Sequence, residues 1–485
     1  MKRFDMLIIG FGKAGKTLAK DFAGQDQKVA VIEQDSKMYG GTCINVGCIP
    51  SKTLLHESLE HHSFSEAMDR KKDVVAALNK KNFNNLNSDD NIEVYTYKAH
   101  FKDNQTVVLL NDQNETVETI QADKIVINTG TRSNIPDIDG IKTTENIYDS
   151  KGIMALDHLP ETLVIIGAGY IALEFATIFS KLGSKIKIVH PRKHVLVTED
   201  KDIASLIYDE IISQDIEFID EAEVTAFSTE NNRPVVHTSQ GDITGDAVLL
   251  ATGRVPNTDL ALENTNIELG DKGEIKVNEH LQTSVDHIYA VGDVKGGPQF
   301  TYISLDDYRI VKDHLVGEQH RTTENRGYVP YTVFLDPPLS RIGYTASKAK
   351  KNGHNILEGK IEVKNIPRHK INHDDRGLFK VVVDADSKLI LGASLYGKES
   401  EELINILKLA MDQQIPYTVL RDNIYTHPTM AESFNDLFNI QFSQNRSNYL
   451  KSKSHSFTIV VSIIIGVISC LKKNITKKIY LLKSY

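Results

Sequence analysis

Five short apolar runs along the chain each lead into a glycine, and this pattern predicts buried parallel strands. Residues 4–9, 163–166 and 288–291 stand directly before a glycine, and residues 126–127 and 249–251 are followed closely by a Thr-Gly pair. Further runs at 28–32 and 185–189 come after helix-length segments. The alternation predicts an α/β fold that contains two Rossmann-like dinucleotide-binding domains.

The first glycine loop has the spacing of a dinucleotide fingerprint. Gly10, Gly12 and Gly15 follow the first strand and open a helix. Such glycines permit a tight turn, a close approach of the backbone to a pyrophosphate, and packing of helix against strand. Glu33 ends the next strand eighteen residues after Gly15, where a carboxylate binds ribose hydroxyls. Asp293, at the end of a later strand, is placed to bind a ribityl hydroxyl of a flavin.

The second loop repeats the fingerprint with Gly167, Gly169 and Ala172, so two dinucleotides are expected. At the position where NAD enzymes carry an acid, this chain has His190, followed by the cations Arg192 and Lys193. A missing carboxylate and added cations favour the 2′-phosphate of NADPH over NADH. The alternative is that the two cations only form a solvated surface, and NADH then remains possible.

The segment from 327 to about 440 has a different pattern. Strand-like runs at 379–383 and 389–393 come before a helix-like stretch at 401–411. This order is typical of helices on one side of an antiparallel sheet. We therefore expect a C-terminal α+β domain after the two dinucleotide-binding domains.

Composition excludes some classes of function. The chain has 485 residues, 40% hydrophobic and 25% charged, and a formal net charge of -9. These values fit a globular protein of several domains, and the negative charge speaks against a nucleic-acid surface. Three cysteines, and an N-terminus that enters a strand without an apolar signal region, predict a reducing, cytoplasmic location.

Two of the cysteines, Cys43 and Cys48, lie just downstream of the first glycine loop. Five positions on a regular helix span about 7.5 Å of rise, beyond the roughly 7 Å limit for a disulfide bridge. The helix is therefore expected to be distorted, with Gly47 as the residue that permits it. A pair in strained local geometry is easily reduced, which suits a redox-active disulfide. The alternative is two buried, unpaired thiols.

Together with His427-Pro428 and Glu432 far downstream, these motifs resemble those of the pyridine nucleotide-disulfide oxidoreductases. The resemblance spans roughly residues 1 to 440. It implies a homodimer with FAD and NAD(P)H, in which His427 acts on the other subunit's dithiol. It also implies that Cys48 is the charge-transfer thiol, that Cys43 attacks the substrate, and that Glu432 orients His427 as an acid and base.

The resemblance assigns domains and further residues. We expect an FAD domain at 1–150 and 281–326, an NAD(P) domain at 151–280, and a dimerisation domain at 327–440. Lys52 and Glu174 are expected to pair beside the flavin, or to form a plain salt bridge. The flavin-binding residues implied are Gly10, Gly12, Gly15, Glu33, Gly41, Thr42, Lys52, Thr129, Gly130, Gly292, Asp293 and Thr301. Those implied for the nicotinamide coenzyme are Gly167, Gly169, Tyr170, Ala172, His190, Arg192 and Gly253.

Segments outside these motifs indicate a branch of the family. Residues 299–311, 329–334 and 337–343 resemble the bacterial reactive-chlorine resistance flavoproteins, also described as hypothiocyanous acid reductases. This favours reduction of a small oxidant, hypothiocyanous acid, to thiocyanate. Mercuric reductases carry a vicinal cysteine pair, which this chain lacks. The alternatives are a dihydrolipoamide dehydrogenase, a Hg(II) or Cu(II) reductase, or a flavin-bearing partner of a larger complex.

Two remaining features carry no catalytic prediction. His61 and His62 are interpreted as solvated surface, and no metal site is expected. The tail 441–485 has eight Lys or Arg, no Asp or Glu, and an apolar run at 457–471. That run is shorter than the roughly 18 residues of a spanning helix. The tail is non-native, a weak membrane anchor, or an extra packed element, and Cys470 within it has no vicinal partner.

Overall fold

The computed structural model describes residues 1–440 except 194, 195, 197 and 215, and the chain divides into two compact units. The first unit is Met1–Tyr328 with Val333–Asp336. The second is Val329–Thr332 with the described residues from Pro337 onward. The tail 441–485, on which the interpretations above differ, lies outside the described residues.

The first dinucleotide-binding region is built on a sheet that begins with the predicted N-terminal strand. Strands β1 to β8 are Lys2–Ile9, Val29–Ile32, Ile92–Tyr95, Lys98–Phe101, Thr106–Leu110, Thr116–Ile127, Thr131–Ser133 and Ile147–Tyr148. Helices α1 to α5 are Lys13–Ala23, Thr42–Asn45, Cys48–Leu59, Phe64–Asn87 and Ser150–Ile153. The sheet has the order β3-β2-β1-β6-β5-β4. Parallel pairing of β1 with β2 and β6 places the first glycine loop at the carboxyl end of these strands.

The helical pair after the first loop carries the cysteines. Helix α2 ends at Asn45 and α3 begins at Cys48. Helix α4 starts at a capping box in which Ser63 accepts the Glu66 N–H and the Glu66 carboxylate accepts the Ser63 N–H. Each side chain satisfies a backbone donor that the first helical turn leaves unpaired.

The second dinucleotide-binding region repeats the strand, loop and helix order. Strands β9 to β17 are Thr162–Ile166, Lys185–Val189, Ile216–Ile219, Val224–Glu230, Arg233–Thr238, Gly241–Thr244, Ala247–Leu250, Arg254–Pro256 and Ile288–Ala290. Helices α6 to α8 are Tyr170–Leu182, Lys201–Ser213 and Thr301–Val316. A parallel sheet has the order β11-β10-β9-β15-β8, and β12, β13 and β14 form an antiparallel sheet. Strand β17 returns to the first sheet, parallel to β6.

The second unit is a five-stranded sheet with helices. Strands β18 to β22 are Tyr331–Val333, Leu339–Gly343, Ile356–Glu362, Leu378–Asp384 and Ile390–Tyr396. Helices α9 to α13 are Ala346–Lys351, Pro367–Ile371, Ser400–Asp412, Tyr417–Asp422 and Ser433–Leu437. Strands β19, β22, β21 and β20 pair antiparallel in that order. Leu403 and Leu407 of α11 join Phe379 and Val381 of β21 in one buried cluster.

The predicted fold class is confirmed, with two dinucleotide-binding regions followed by an α+β unit. Short 3-10 helices at Ser36–Met38, Leu262–Asn264, Gly292–Lys295 and Val363–Asn365 complete the described elements. Across the described part of the chain, the helices are all too short or too polar to cross a bilayer.

Candidate active site

The first glycine loop is closed by a side chain that sequence reasoning did not assign. Asn128 Oδ1 accepts the Gly15 N–H at 2.9 Å, and Asn128 Nδ2 donates to the carbonyl of Val291 at 2.9 Å. A Cβ at Gly12 would lie 2.4 Å from Asn128 Oδ1, and one at Gly10, whose φ is +102°, would lie 2.4 Å from the Asn128 carbonyl oxygen. Asn128, which directly precedes Thr129-Gly130, therefore connects that pair with the first glycine loop and with the segment at Val291 and Gly292.

The groups beside this loop fit a flavin dinucleotide. Gly12 gives α1 no side-chain cap, and the Ala14 and Gly15 N–H groups of the first turn donate to Ser304 Oγ at 3.2 Å and to Asn128 Oδ1 at 2.9 Å. A pyrophosphate at this helix N-terminus would therefore meet the glycine backbone that precedes Ala14, together with the positive end of the helix dipole. Burial raises the pKa of Glu33 to about 7, and its carboxylate accepts the Phe11 N–H at 3.2 Å. Burial likewise raises the pKa of Asp293, which accepts from Thr131 Oγ1 at 3.4 Å. Two half-buried acids of this kind match the hydroxyls of a ribose and a ribityl chain.

Cys43 and Cys48 are present as two thiols joined by a hydrogen bond. Gly47 lies between α2 and α3 with φ -128° and ψ -120°, outside helical geometry, so the predicted distortion is a complete helix break. Cys43 is half-buried and Cys48 is exposed. A Cβ at Gly47 would lie 2.9 Å from the Thr42 carbonyl oxygen, which leaves little room for a larger residue there.

The thiol pair is set up to hold one negative charge. The hydrogen bond from Cys48 lowers the pKa of Cys43 to about 6, although burial acts in the opposite direction. The Thr301 hydroxyl and the nearby charges of Lys16 and Lys52 lower it further. The same sulfur–sulfur hydrogen bond raises the pKa of Cys48. The pair therefore contains a thiolate near neutral pH, and a thiolate is the nucleophilic form of cysteine.

Lys16 is a second residue that sequence reasoning missed. Its Nζ donates to Asn82 Oδ1 at 2.6 Å and to the Gly40 carbonyl at 3.3 Å, and both acceptors are neutral. Burial lowers the pKa of Lys16 to about 8. A Cβ at Gly41 would lie 2.9 Å from the Cα of Gly12. Lys16 thus fixes α1 to the turn that leads into Cys43.

Lys52 and Glu174 form the expected pair. Lys52 Nζ lies 2.6 Å from Glu174 Oε2. The other carboxylate oxygen accepts the Phe334 N–H at 3.0 Å, and Lys52 Nζ lies 4.8 Å from the centroid of the Phe334 ring. Phe334, which was not predicted, covers the pair and reduces its contact with water. That cover strengthens the electrostatic interaction.

The space beside the second glycine loop is open, whereas the corresponding space beside the first loop is filled by Asn128. Gly169 has a φ of -78°, and a Cβ built there meets nothing within 4 Å. The N-terminus of α6 has no side-chain cap, so its N–H groups fit the pyrophosphate of a nicotinamide coenzyme. Tyr170 Oη donates to Glu199 Oε1 at 2.9 Å. Arg254, in the stretch that follows Gly253, donates to the Thr131 hydroxyl at 2.8 Å.

The residues expected to determine coenzyme specificity differ in their exposure to solvent. His190 is buried and its Nε2 lies 2.9 Å from Asp220 Oδ1. Arg192 and Lys193 are exposed after β10. The histidine is therefore turned inward, and the two cations face solvent.

His427 and Glu432 form the expected pair in the second unit. The distance from His427 Nδ1 to Glu432 Oε2 is 2.7 Å, and the imidazole is 71% exposed. The His427-Pro428 peptide bond is cis. The dithiol belongs to the first unit, so the chain carries the two halves of the expected chemistry on separate units.

Among the histidines without an assigned role, His61 and His62 lie at the surface. His61 and His62 are exposed, and His62 Nδ1 lies 2.6 Å from Glu57. No group of three or more His, Cys, Asp or Glu suited to a metal ion occurs in the described ranges.

Comparisons with known proteins match most of the chain. A family model for the pyridine nucleotide-disulphide oxidoreductases matches residues 4–307, and the model of that family's dimerisation domain matches residues 329–438. The probable pyridine nucleotide-disulfide oxidoreductase RclA of Escherichia coli is 46% identical over 441 residues, which is 91% of this chain and 100% of RclA.

More distant relatives have other names. A mercuric reductase of Staphylococcus aureus is 30% identical, with 88% of this chain and 81% of that protein covered. A dihydrolipoyl dehydrogenase of Geobacillus stearothermophilus is 29% identical, with 88% and 94% covered. Among solved structures, the Cu(II) complex of the HOCl-induced flavoprotein disulfide reductase RclA from E. coli matches with a TM-score of 0.89 and 45% identity, over 91% of this chain and 100% of that one.

Proposed function

The chain belongs to the pyridine nucleotide-disulphide oxidoreductases, and on that premise we propose that it is an NADPH-dependent reductase of hypothiocyanous acid. The observation that supports this most directly is the thiol pair of Cys43 and Cys48, in which a hydrogen bond lowers the pKa of one sulfur to about 6. A thiolate formed near neutral pH reacts with a small electrophilic sulfur compound without any metal relay.

The cysteine content favours this substrate over mercury. The three cysteines of the chain are Cys43, Cys48 and Cys470, and no two of them are adjacent. Delivery of a soft cation to a dithiol needs further thiolates, because soft metals prefer sulfur ligands. A neutral molecule of a few atoms reaches the half-buried Cys43 without such help.

The reaction is a two-electron exchange at sulfur. The Cys43 thiolate attacks the sulfur of hypothiocyanous acid, the S–O bond breaks, and the leaving hydroxide takes a proton to become water. Cys48 then loses its proton and attacks the sulfur of Cys43. The bond to the SCN group breaks, thiocyanate leaves, and a disulfide remains. The dithiol is oxidised by two electrons and the oxidant is reduced by two.

The two proton transfers of this reaction need one group that first donates a proton and then accepts one. We assign this role to the partner subunit's His427, whose imidazole gives a proton to the leaving hydroxide and takes one from Cys48. Glu432 accepts from one ring nitrogen at 2.7 Å and leaves the other free for exchange. The wide exposure of the His427 ring in its own chain agrees with a role at a subunit interface, since the dimerisation model covers residues 329–438.

Renewal of the dithiol would use the two groups that the glycine loops fit. When bound, FAD and NADPH would supply the electron pair that reopens the disulfide. Gly12, Glu33 and Asp293 would hold the flavin, and Gly169 with Arg192 would hold the coenzyme. Lys52 is held by Glu174 at 2.6 Å and adds a fixed positive charge near the thiolate.

Reduction of Cu(II) is a second candidate because the solved relative RclA was obtained as a Cu(II) complex. A copper reductase would use the same dithiol but would transfer one electron to each ion. Lipoamide is a weaker candidate, because the dihydrolipoyl dehydrogenase of Geobacillus stearothermophilus is only 29% identical to this chain.

The proposal is tested by steady-state turnover with each oxidant. The purified holoenzyme, kept anaerobic with NADPH, is mixed in turn with hypothiocyanous acid, Cu(II), Hg(II) and lipoamide. We expect kcat/KM for hypothiocyanous acid to exceed the other values by at least about a hundredfold, with one thiocyanate formed per NADPH consumed. A value no higher than that for Cu(II) would transfer the function to metal reduction.

A further inference from the structure

The turn after β10 is held by an unusual contact between a buried histidine and a carboxylate. We infer that His190 and Asp220 form a clamp that positions Arg192 and Lys193 to bind a 2′-phosphate, so that this pair sets the coenzyme specificity. The inference rests on the NADPH preference proposed above. The NADPH preference then depends on the contacts that fix the turn after β10 as well as on the charges of Arg192 and Lys193.

One nitrogen of His190 has a hydrogen-bond partner, and the other lies against a carboxylate. Nε2 is 2.9 Å from Asp220 Oδ1, a contact between polar atoms that lacks hydrogen-bond geometry, and both atoms are buried without a hydrogen-bond partner in the described part of the chain. Nδ1 accepts the backbone N–H of Arg192 at 3.2 Å. An accepting Nδ1 carries no proton, so the ring proton of the neutral tautomer lies on Nε2, the nitrogen beside the carboxylate.

Backbone hydrogen bonds extend the clamp to the turn after β11. The His190 N–H donates to the Ile219 carbonyl at 3.2 Å, and the Ala222 N–H donates to the His190 carbonyl at 3.1 Å. The Glu221 N–H donates to the Arg192 carbonyl at 3.4 Å. Glu221 has a φ of +56°, a conformation that a non-glycine residue adopts only when its surroundings hold it there. The two turns are therefore ordered as one piece.

This arrangement excludes His190 as a direct phosphate ligand. Its ring is only 5% exposed, and its Nε2 faces an anion that would repel a phosphate. The positive charge offered to a coenzyme belongs to Arg192 and Lys193, which are exposed. Arg192 is the next residue but one after His190, so a fixed Arg192 N–H also fixes where its side chain leaves the backbone. His190 is thus a positioning residue, and Asp220 orients it.

The chain offers a second His–Asp pair as a matched control. In the three-stranded sheet of the same region, His237 Nδ1 lies 2.7 Å from Asp242 Oδ1. That pair lies on β13 and β14, and the His237 ring also contacts Ser228 Oγ at 2.8 Å. Loss of the Asp242 carboxylate changes the charge of the region by the same amount and removes none of the contacts that His190 and Asp220 make with each other or with Arg192.

The test compares ligand binding in four variants: Asp220→Ala, His190→Ala, His190→Asn and Asp242→Ala. Affinities of the oxidised holoenzyme for 2′,5′-ADP and for 5′-AMP are measured by calorimetry, and kcat/KM is measured with NADPH and with NADH. Flavin content and melting temperature show that each variant is folded. We expect wild-type enzyme to bind 2′,5′-ADP at least about tenfold more tightly than 5′-AMP.

Asp220→Ala and His190→Ala should each weaken 2′,5′-ADP binding by about tenfold and leave 5′-AMP binding unchanged, as for other residues that orient a ligating group. His190→Asn, whose side-chain oxygen can accept the Arg192 N–H, should retain most of the affinity, and Asp242→Ala all of it. If wild-type enzyme does not distinguish the two ligands, the proposed NADPH preference is wrong. If it does and Asp220→Ala and His190→Ala bind both as wild type does, the clamp is wrong.

Discussion

In the proposed reaction, reactivity depends on one proton shared between Cys43 and Cys48. The hydrogen bond that lowers the pKa of Cys43 is the same one that raises the pKa of Cys48, so the two sulfurs divide the roles of nucleophile and reserve thiol. Lys16 and Lys52 supply fixed positive charge from two different helices. The division of roles is therefore a property of the whole cluster.

The first prediction concerns the pH dependence of thiol alkylation. In the reduced enzyme, iodoacetamide should modify Cys43 with a half-maximal rate near pH 6, because its thiolate is present above its pKa and is lost below it. Peptide mass spectrometry identifies the modified cysteine. Cys48→Ala removes the donor and should move the midpoint upward, toward the value of about 8.5 for an unperturbed thiol. A wild-type midpoint at that value would refute the account.

The substitution Lys16→Met should also change the pH dependence of Cys43 alkylation. Removal of its charge should move the midpoint for Cys43 upward, by less than Cys48→Ala does, because the charge contributes less than the hydrogen bond. Lys20→Met is the matched control on the same helix, since Lys20 pairs with Asp89 at the surface. An equal shift in both variants would show that the effect comes from net charge alone.

Sequence patterns revealed some single residues of the site and missed others for a physical reason. Glu33 and Asp293 end strands that the apolar pattern marks. Asn128, Lys16 and Phe334 act through partners that are 113, 66 and 160 positions away in the chain. No local pattern records such a contact, so these residues were found only from the fold.

At the scale of elements, the two glycine loops have the same backbone but different surroundings. Gly12 has a φ of -68° and Gly169 a φ of -78°, and each precedes the first residue of a helix. The space beside Gly12 is filled by Asn128, and the space beside Gly169 is open. The first loop is therefore part of the packed interior, whereas the space beside Gly169 in the second loop is left open for a ligand.

A matched pair of substitutions tests this difference. Gly12→Ala places a Cβ 2.4 Å from Asn128 Oδ1 and should reduce the free energy of unfolding by about 1–3 kcal/mol, with loss of flavin. Gly169→Ala should leave the melting temperature and flavin content unchanged and raise the KM for NADPH several-fold. Thermal unfolding and flavin absorbance measure the first effect, and steady-state kinetics the second. A Gly169→Ala protein as unstable as Gly12→Ala would contradict the distinction.

The strands and helices were predicted more accurately than the connections and pairings between them. Apolar runs predicted β1, β9 and β17, because a strand buried on both faces has a continuous hydrophobic sequence. The break between α2 and α3 was expected only as a distortion, since the sequence shows a glycine at position 47 but not the backbone angles it adopts. The pairing of β17 with β6 depends on a crossover of about 160 residues, which no periodicity indicates.

At the scale of the whole molecule, the proposed chemistry needs two chains. Cys43→Ser and His427→Ala should each be nearly inactive, with losses of at least about a hundredfold for His427→Ala. A purified heterodimer of the two variants should recover about half of the wild-type activity, because one of its two sites then has both a dithiol and an intact histidine. Two affinity tags isolate the heterodimer. No recovery would place the action of His427 within its own subunit.

In the proposed reaction, electrons leave the reduced enzyme through Cys43 and Cys48 to a small oxidant. A thiol count checks this on enzyme that has been reduced with NADPH, freed of coenzyme and mixed anaerobically with one equivalent of hypothiocyanous acid. Both thiols should become a disulfide, as seen by mass spectrometry, while one thiocyanate appears. Consumption of the oxidant with Cys43 and Cys48 still reduced would contradict it.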